Sequence, residues 1–129
     1  NKIQEYHMDI NSIWVNEMKA GDYNPVHVHK GKLYTGLSSV MILKLPKDYG
    51  PELTQPDQPM NGRLQILGNA SGQFVKADYS PQVKIGDFYI FPYDMKHVVY
   101  PFTNKKAKRR TLVCNVDVTY NSITSRTAQ

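Results

Sequence analysis

Short runs rich in Val, Ile, Tyr and Phe recur along the chain, at residues 12–18, 38–45, 64–67, 73–77, 87–91, 97–101 and 111–120. Clusters of Pro, Gly, Asn or Asp bound most of them, which is the pattern of strands separated by turns. In residues 39–45 both faces are apolar, as expected of a central strand in a sandwich core. No segment longer than about ten residues keeps a helical period; residues 4–12 are the one stretch read as a short helix. Residues 47–62, with Pro46, Pro51, Pro56 and Pro59 in or beside them, carry little hydrophobic pattern and read as a long loop. A loop of that length in a compact domain usually serves function, so it is a candidate for substrate contact. Many short strands and turn signals predict an all-β sandwich or jelly roll. The 129 residues fit one domain, residues 1–129.

Charge changes this picture little. The net charge of +5 invites a nucleic-acid partner, but Lys105, Lys106, Lys108, Arg109 and Arg110 account for the excess. Without them the remaining basic residues balance the acidic ones, so the cluster reads as a solvated turn between two strands and not a binding face. No nucleic acid is expected as partner. No apolar run approaches the roughly 20 residues of a membrane span, and residues 1–5 lack the apolar core of a signal peptide. A cytoplasmic location is expected, the host cytoplasm if the chain is encoded by a phage. The single cysteine, Cys114, excludes an internal disulfide and a cysteine-based zinc site; mid-strand, it reads as a small core residue.

Candidate chemistry rests on histidine. His27-Val28-His29 would present two imidazoles to one side of a strand. His97 follows the segment Gly86-Asp87-Phe88-Tyr89-Ile90-Phe91-Pro92 and could meet them. Imidazole suits iron, zinc, copper and nickel, so His27, His29 and His97 are candidate metal ligands. His7 stands outside any pattern and reads as a surface residue. Asp22, Asp87 and Asp94 read as turn residues.

These residues carry a resemblance. Asn24-x-x-His27-x-His29-Lys30-Gly31, Thr35-Gly36, Gly86-Asp87-x-x-x-Phe91-Pro92, His97-x-Val99-x-Pro101, Arg109 and Asn115 together resemble the 2-oxoglutarate/Fe(II) oxygenases of bacteria and bacteriophages, distant relatives of prolyl hydroxylases. The likeness runs from about residue 14 to residue 115. It implies a double-stranded β-helix, a distorted jelly roll, with Fe(II) at its open end and 2-oxoglutarate as cosubstrate. It implies His27 as first ligand and His97 as distal ligand. Arg109 matches the residue that holds the 5-carboxylate, Arg110 being the alternative register. Thr111 could add a donor to that carboxylate and Tyr34 a phenol. The implied reaction hydroxylates a small molecule or a peptide side chain, with oxidative decarboxylation of 2-oxoglutarate to succinate. Homo-oligomers are compatible with it.

His29 departs from the family pattern by standing where most of these oxygenases have Asp or Glu. A second resemblance is to the cupins, which share the fold: Gly21, five residues, then His27-x-His29 fits the opening of their first motif, and Gly86, five residues, Pro92, then His97 fits much of the second. The glutamate of the first motif is missing, since Leu33 and Tyr34 stand there, and Asp94 replaces a glycine of the second. The alternatives to a 2-oxoglutarate oxygenase are therefore a cupin-type metal enzyme and a non-catalytic metal-binding jelly roll.

Overall fold

A computed structural model of the chain describes residues 4–33, 35–68 and 72–122. Eight strands follow one another: β1 (Gln4–Lys19), β2 (Asn24–His27), β3 (Gly36–Lys44), β4 (Leu64–Leu67), β5 (Asp78–Tyr79), β6 (Phe88–Pro92), β7 (Lys96–Val99) and β8 (Lys108–Ser122). They form two four-stranded antiparallel sheets, in the orders β1-β8-β3-β6 and β2-β7-β4-β5. Consecutive strands repeatedly change sheet, as in a jelly roll. The fold is all-β and two-layered, and neither sheet closes into a barrel. No helix among the described residues is long and apolar enough to cross a membrane.

The core lies between the sheets, where Ile42, Leu64, Val98 and Phe102 are almost fully buried. Strand β8 contributes its odd-numbered positions to that interior: Arg109, Thr111, Val113, Asn115 and Asp117 are buried, and the intervening residues are not. Strand β3, between β8 and β6, is the central strand its two-sided apolar pattern predicted.

Four expectations are corrected. Residues 4–12 are strand, not helix; they form the first half of β1 and pair with the C-terminal half of β8. The register shifts between Ile10 and Ser12, leaving Asn11 as a bulge residue whose Nδ2 donates to the Lys30 carbonyl at 3.1 Å. Residues 73–77 are not a strand: the chain turns there, and pairing begins only at Asp78. The basic cluster is not one solvated turn. Only its beginning is a turn; Lys108 and Arg110 point outward to Glu17, while Arg109 is 2% exposed. Cys114 faces outward as well, half-buried, and is not a core residue.

One end of the jelly roll is fastened by Asp117. Its carboxylate accepts hydrogen bonds from the backbone N–H of Lys32 and Leu33, and the single Tyr93 hydroxyl proton is shared between that carboxylate and the Leu33 carbonyl. This holds the segment after His29 against β8. Gly36 is required there, because a Cβ would lie 2.2 Å from the Val116 carbonyl oxygen and 2.3 Å from the Tyr93 ring. The 47–62 loop is ordered by its own polar groups. Glu52 accepts from the N–H of Met60 and Asn61, and the Tyr49 carbonyl accepts from the N–H of Thr103 and Asn104.

Candidate metal centre

His27 and His97 are direct cross-strand partners, at the end of β2 and on β7. Residues opposite each other on neighbouring strands project to the same face, so these two imidazoles meet without help from the loops, 4.1 Å between ring centroids. His29 arrives differently. Strand β2 ends at His27, and the His29 N–H donates to the Tyr93 carbonyl at 2.7 Å. Its ring then reaches between the sheets, stacked against Trp14 of β1 with centroids 5.7 Å apart. The strand alternation expected of the pair is therefore replaced by a strand end plus a tethered loop, with the same convergence.

Hydrogen bonds fix which nitrogen each ring presents. Nδ1 of His27 meets the Pro25 carbonyl at 2.6 Å, and Nδ1 of His97 meets the Met95 carbonyl at 3.0 Å. Nδ1 of His29 meets Oδ1 of Asn115 at 2.8 Å. A carbonyl oxygen only accepts, so each Nδ1 carries the proton and each Nε2 is left with a free lone pair. Those lone pairs face one another: Nε2 of His29 lies 3.3 Å from that of His27 and 3.0 Å from that of His97. Three acceptors at this separation repel each other, and a shared cation removes the repulsion. The cluster is able to bind a metal ion, with all ligand atoms within 4.8 Å of one another. Burial lowers the affinity of His29 and His97 for protons, to a pKa of about 4 for His97. Both rings are thus neutral and ligand-ready at pH 7.

Asn115 is itself held. Its Oδ1 accepts from the Ser38 hydroxyl at 2.7 Å, and its Nδ2 donates to the Ser12 hydroxyl at 3.2 Å. β1, β3 and β8 thereby jointly orient His29. A neutral amide stands behind this imidazole, where a carboxylate is another common partner of ligating histidines.

The histidines border a cavity of about 390 Å³ whose lining includes Trp14, Asn24, Lys30, Arg109, Thr111 and Asn115. Among the described residues no Asp or Glu lines it. Arg109 enters from β8 with its Nε and one Nη buried and without hydrogen-bond partners among the described residues. Burial lowers its pKa, an effect the nearby Tyr49 hydroxyl opposes. Arg110, the other register, is on the outer face with its Nε donating to Glu17 at 2.7 Å. Thr111 is buried on the same face as Arg109. Tyr34 lies outside the described residues. No residue of the 47–62 loop lines the cavity, and that loop reaches the site through Tyr49 beside Arg109. Sequence reasoning missed Tyr49, Ser38 and Trp14: nothing local marks them, since each meets its partner only where the fold brings distant parts of the chain together.

Residues 12–115 match a protein family described as "Putative 2OG-Fe(II) oxygenase". No curated protein matches the sequence. Among solved structures, the chain is similar to an RmlC-like cupin protein from Desulfovibrio desulfuricans, with 17% sequence identity and a TM-score of 0.41, covering 85% of this chain and 80% of that one.

Proposed function

The chain belongs to the 2OG-Fe(II) oxygenase family, and we propose that it is a 2-oxoglutarate- and Fe(II)-dependent dioxygenase whose two sheets form one double-stranded β-helix domain. The observation that carries this reading is the pairing, in one cavity, of three converging Nε2 lone pairs with a buried guanidinium that has open donors. Fe(II) would be held by His27, His29 and His97. Bound there with 2-oxoglutarate, it would supply oxidative decarboxylation to succinate and carbon dioxide, with insertion of oxygen into a C–H bond of the substrate.

The chain's own residues do the rest. Arg109 anchors the distal carboxylate through its two open donors, a fork that matches a carboxylate in plane. Thr111 and Tyr49 offer hydroxyls beside it. The backbone carbonyls of Pro25 and Met95, with Asn115, keep the three imidazoles in the tautomer that presents Nε2. Trp14 covers His29 and excludes water from one side of the ligand set. The substrate would be a small molecule or a peptide side chain.

One observation favours a second reading. An all-imidazole ligand set, without the carboxylate of the usual oxygenase triad, also suits a cupin-type metal enzyme that does not use 2-oxoglutarate. Anaerobic titration of the Fe(II)-loaded protein with 2-oxoglutarate separates the two. We expect a visible metal-to-ligand charge-transfer band that saturates at one equivalent. Bound iron with no such band would leave the cupin-type reading.

A further inference from the structure

The β1-β8-β3-β6 sheet carries large apolar side chains on its outer face, yet among the described residues only its inner face is covered. On the outer face Met8, Ile10, Ile13 and Val15 of β1 and Phe88 and Ile90 of β6 are each between half and two-thirds exposed. The outward positions of β8 between them, Leu112 to Val118, are apolar in turn. An antiparallel sheet with one face in water normally alternates apolar-in with polar-out. Here the outer positions between the charged end and residue 118 are apolar on all four strands except for Ser39 of β3, as in a layer with protein on both sides. Six large apolar side chains more than half exposed, with the partly exposed apolar positions of β8 and β3 between them, form a contiguous patch at or above the roughly 300–600 Å² of the largest patch on an ordinary monomer.

We propose that this outer face is the interface of a two-fold homodimer. A stable interface buries roughly 800 Å² per partner, so the dimer covers this patch together with its rim. The face is a sheet surface and not a groove, and two such surfaces pack on each other as the layers of a sandwich do, about 10 Å apart. Charge fits a copy of the same chain better than a charged partner. The outward strand positions are uncharged except at one end, where Lys108 and Arg110 both pair with Glu17 and Lys19 and Lys44 lie beside them. That end forms a charged, net-positive rim outside a self-complementary apolar centre. Cys114 lies in that centre, paired in register with Ile13 on one side and Ser39 on the other. The cavity with the histidines opens on the opposite face of the same sheet, so the dimer leaves it accessible.

Sedimentation velocity at micromolar concentration, with alkylation of Cys114 timed in parallel, tests this. The wild-type protein should sediment as a dimer with Cys114 protected. Ile13→Asp and Ile90→Asp, on separate strands of the face, should each halve the mass and lose the protection. Both should keep one metal ion per chain, which shows that the fold and the site persist whatever the cosubstrate proves to be. A monomeric wild-type protein, undefined aggregates, or a dimer that survives both substitutions with Cys114 freely alkylated would overturn the assignment.

Discussion

Replacing Arg109 by methionine distinguishes a ligand-binding arginine from a structural one, because the two roles move stability in opposite directions. Arg109 is 2% exposed, and its Nε and one Nη are buried without a partner among the described residues. No carboxylate lines the cavity among the described residues. The protein without ligand therefore carries a buried cation whose desolvation is offset, among the described residues, by Tyr49 alone. Arg109→Met keeps an unbranched side chain and removes that charge, so thermal stability of the ligand-free protein should stay level or rise. A buried arginine that served as half of an ion pair would instead cost about 3–5 kcal/mol on removal. Affinity for 2-oxoglutarate should fall steeply. Losing one partner of a desolvated charge pair costs about 2–5 kcal/mol, or roughly 30-fold and upward in dissociation constant. Calorimetric titration of the Fe(II) protein under anaerobic conditions measures the affinity, and differential scanning calorimetry the stability. Iron stoichiometry should not change. A variant that unfolds several degrees earlier yet binds 2-oxoglutarate as tightly as wild type would refute the assignment.

Three further outcomes follow from the metal centre. His27→Ala and His97→Ala should abolish stoichiometric Fe(II) binding measured by metal analysis after desalting, whereas His29→Asp should retain it; unchanged affinity in His29→Ala would remove His29 from the ligand set. Asn115→Ala removes the acceptor of the His29 Nδ1 proton and should weaken metal binding about 10- to 100-fold, with Asn115→Asp restoring it; equal affinity in all three proteins would show that the bond orients nothing. The pH dependence of the metal-free protein should follow His97, whose folded pKa of about 4 lies below its ordinary value of 6.5. As pH falls from 7 towards 4 the unfolded chain takes up a proton that the folded one refuses, so stability drops across that window, by up to about 3 kcal/mol. Urea denaturation at stepped pH should show a flatter profile in His97→Gln, and an identical slope in both proteins would exclude this origin.

Much of this architecture was legible because the strands announce themselves locally. β3, β4, β6, β7 and β8 lie within a few residues of where apolar runs and turn residues put them. The first half of β1 was not, and its bulge explains why. With Asn11 bulged out, Tyr6, Ile10 and Ile13 share one face at spacings of four and three, which is the period of a helix. The true pattern is two stretches of period two joined by one extra residue. Residues 73–77 misled in the opposite sense: their side chains favour strand, but they have no partner strand, and Phe74 is 99% exposed. Strand propensity reports packing on a sheet that must already exist. At the site, His27-x-His29 and His97 were visible as a spacing and Arg109 as a family position. Net charge concealed Arg109, since a count cannot separate a residue that alternation sends inward from neighbours it sends to Glu17. Tyr49 and Ser38 had no signal at all, because each meets its partner only where the fold brings distant parts of the chain together.

The charge of the cavity sets a last test. In a triad of two histidines and one carboxylate, the protein neutralises one unit of a divalent metal's charge. Three neutral imidazoles neutralise none, the residue behind His29 is the amide of Asn115, and Arg109 adds a further positive charge. Negative charge must then come from the ligand, at two places: on the metal and at the guanidinium. 2-Oxoglutarate offers a carboxylate at each end, whereas 2-oxobutyrate has the same chelating end and lacks the distal carboxylate. Wild-type Fe(II) protein should prefer 2-oxoglutarate over 2-oxobutyrate by roughly 30-fold or more, and in Arg109→Met the preference should collapse towards unity. This double comparison isolates one contact, because metal chelation is common to both ligands and cancels. If the preference persists undiminished in Arg109→Met, the distal carboxylate is held elsewhere. If both ligands lose equally, Arg109 acts on the metal end through its field and not as a clamp.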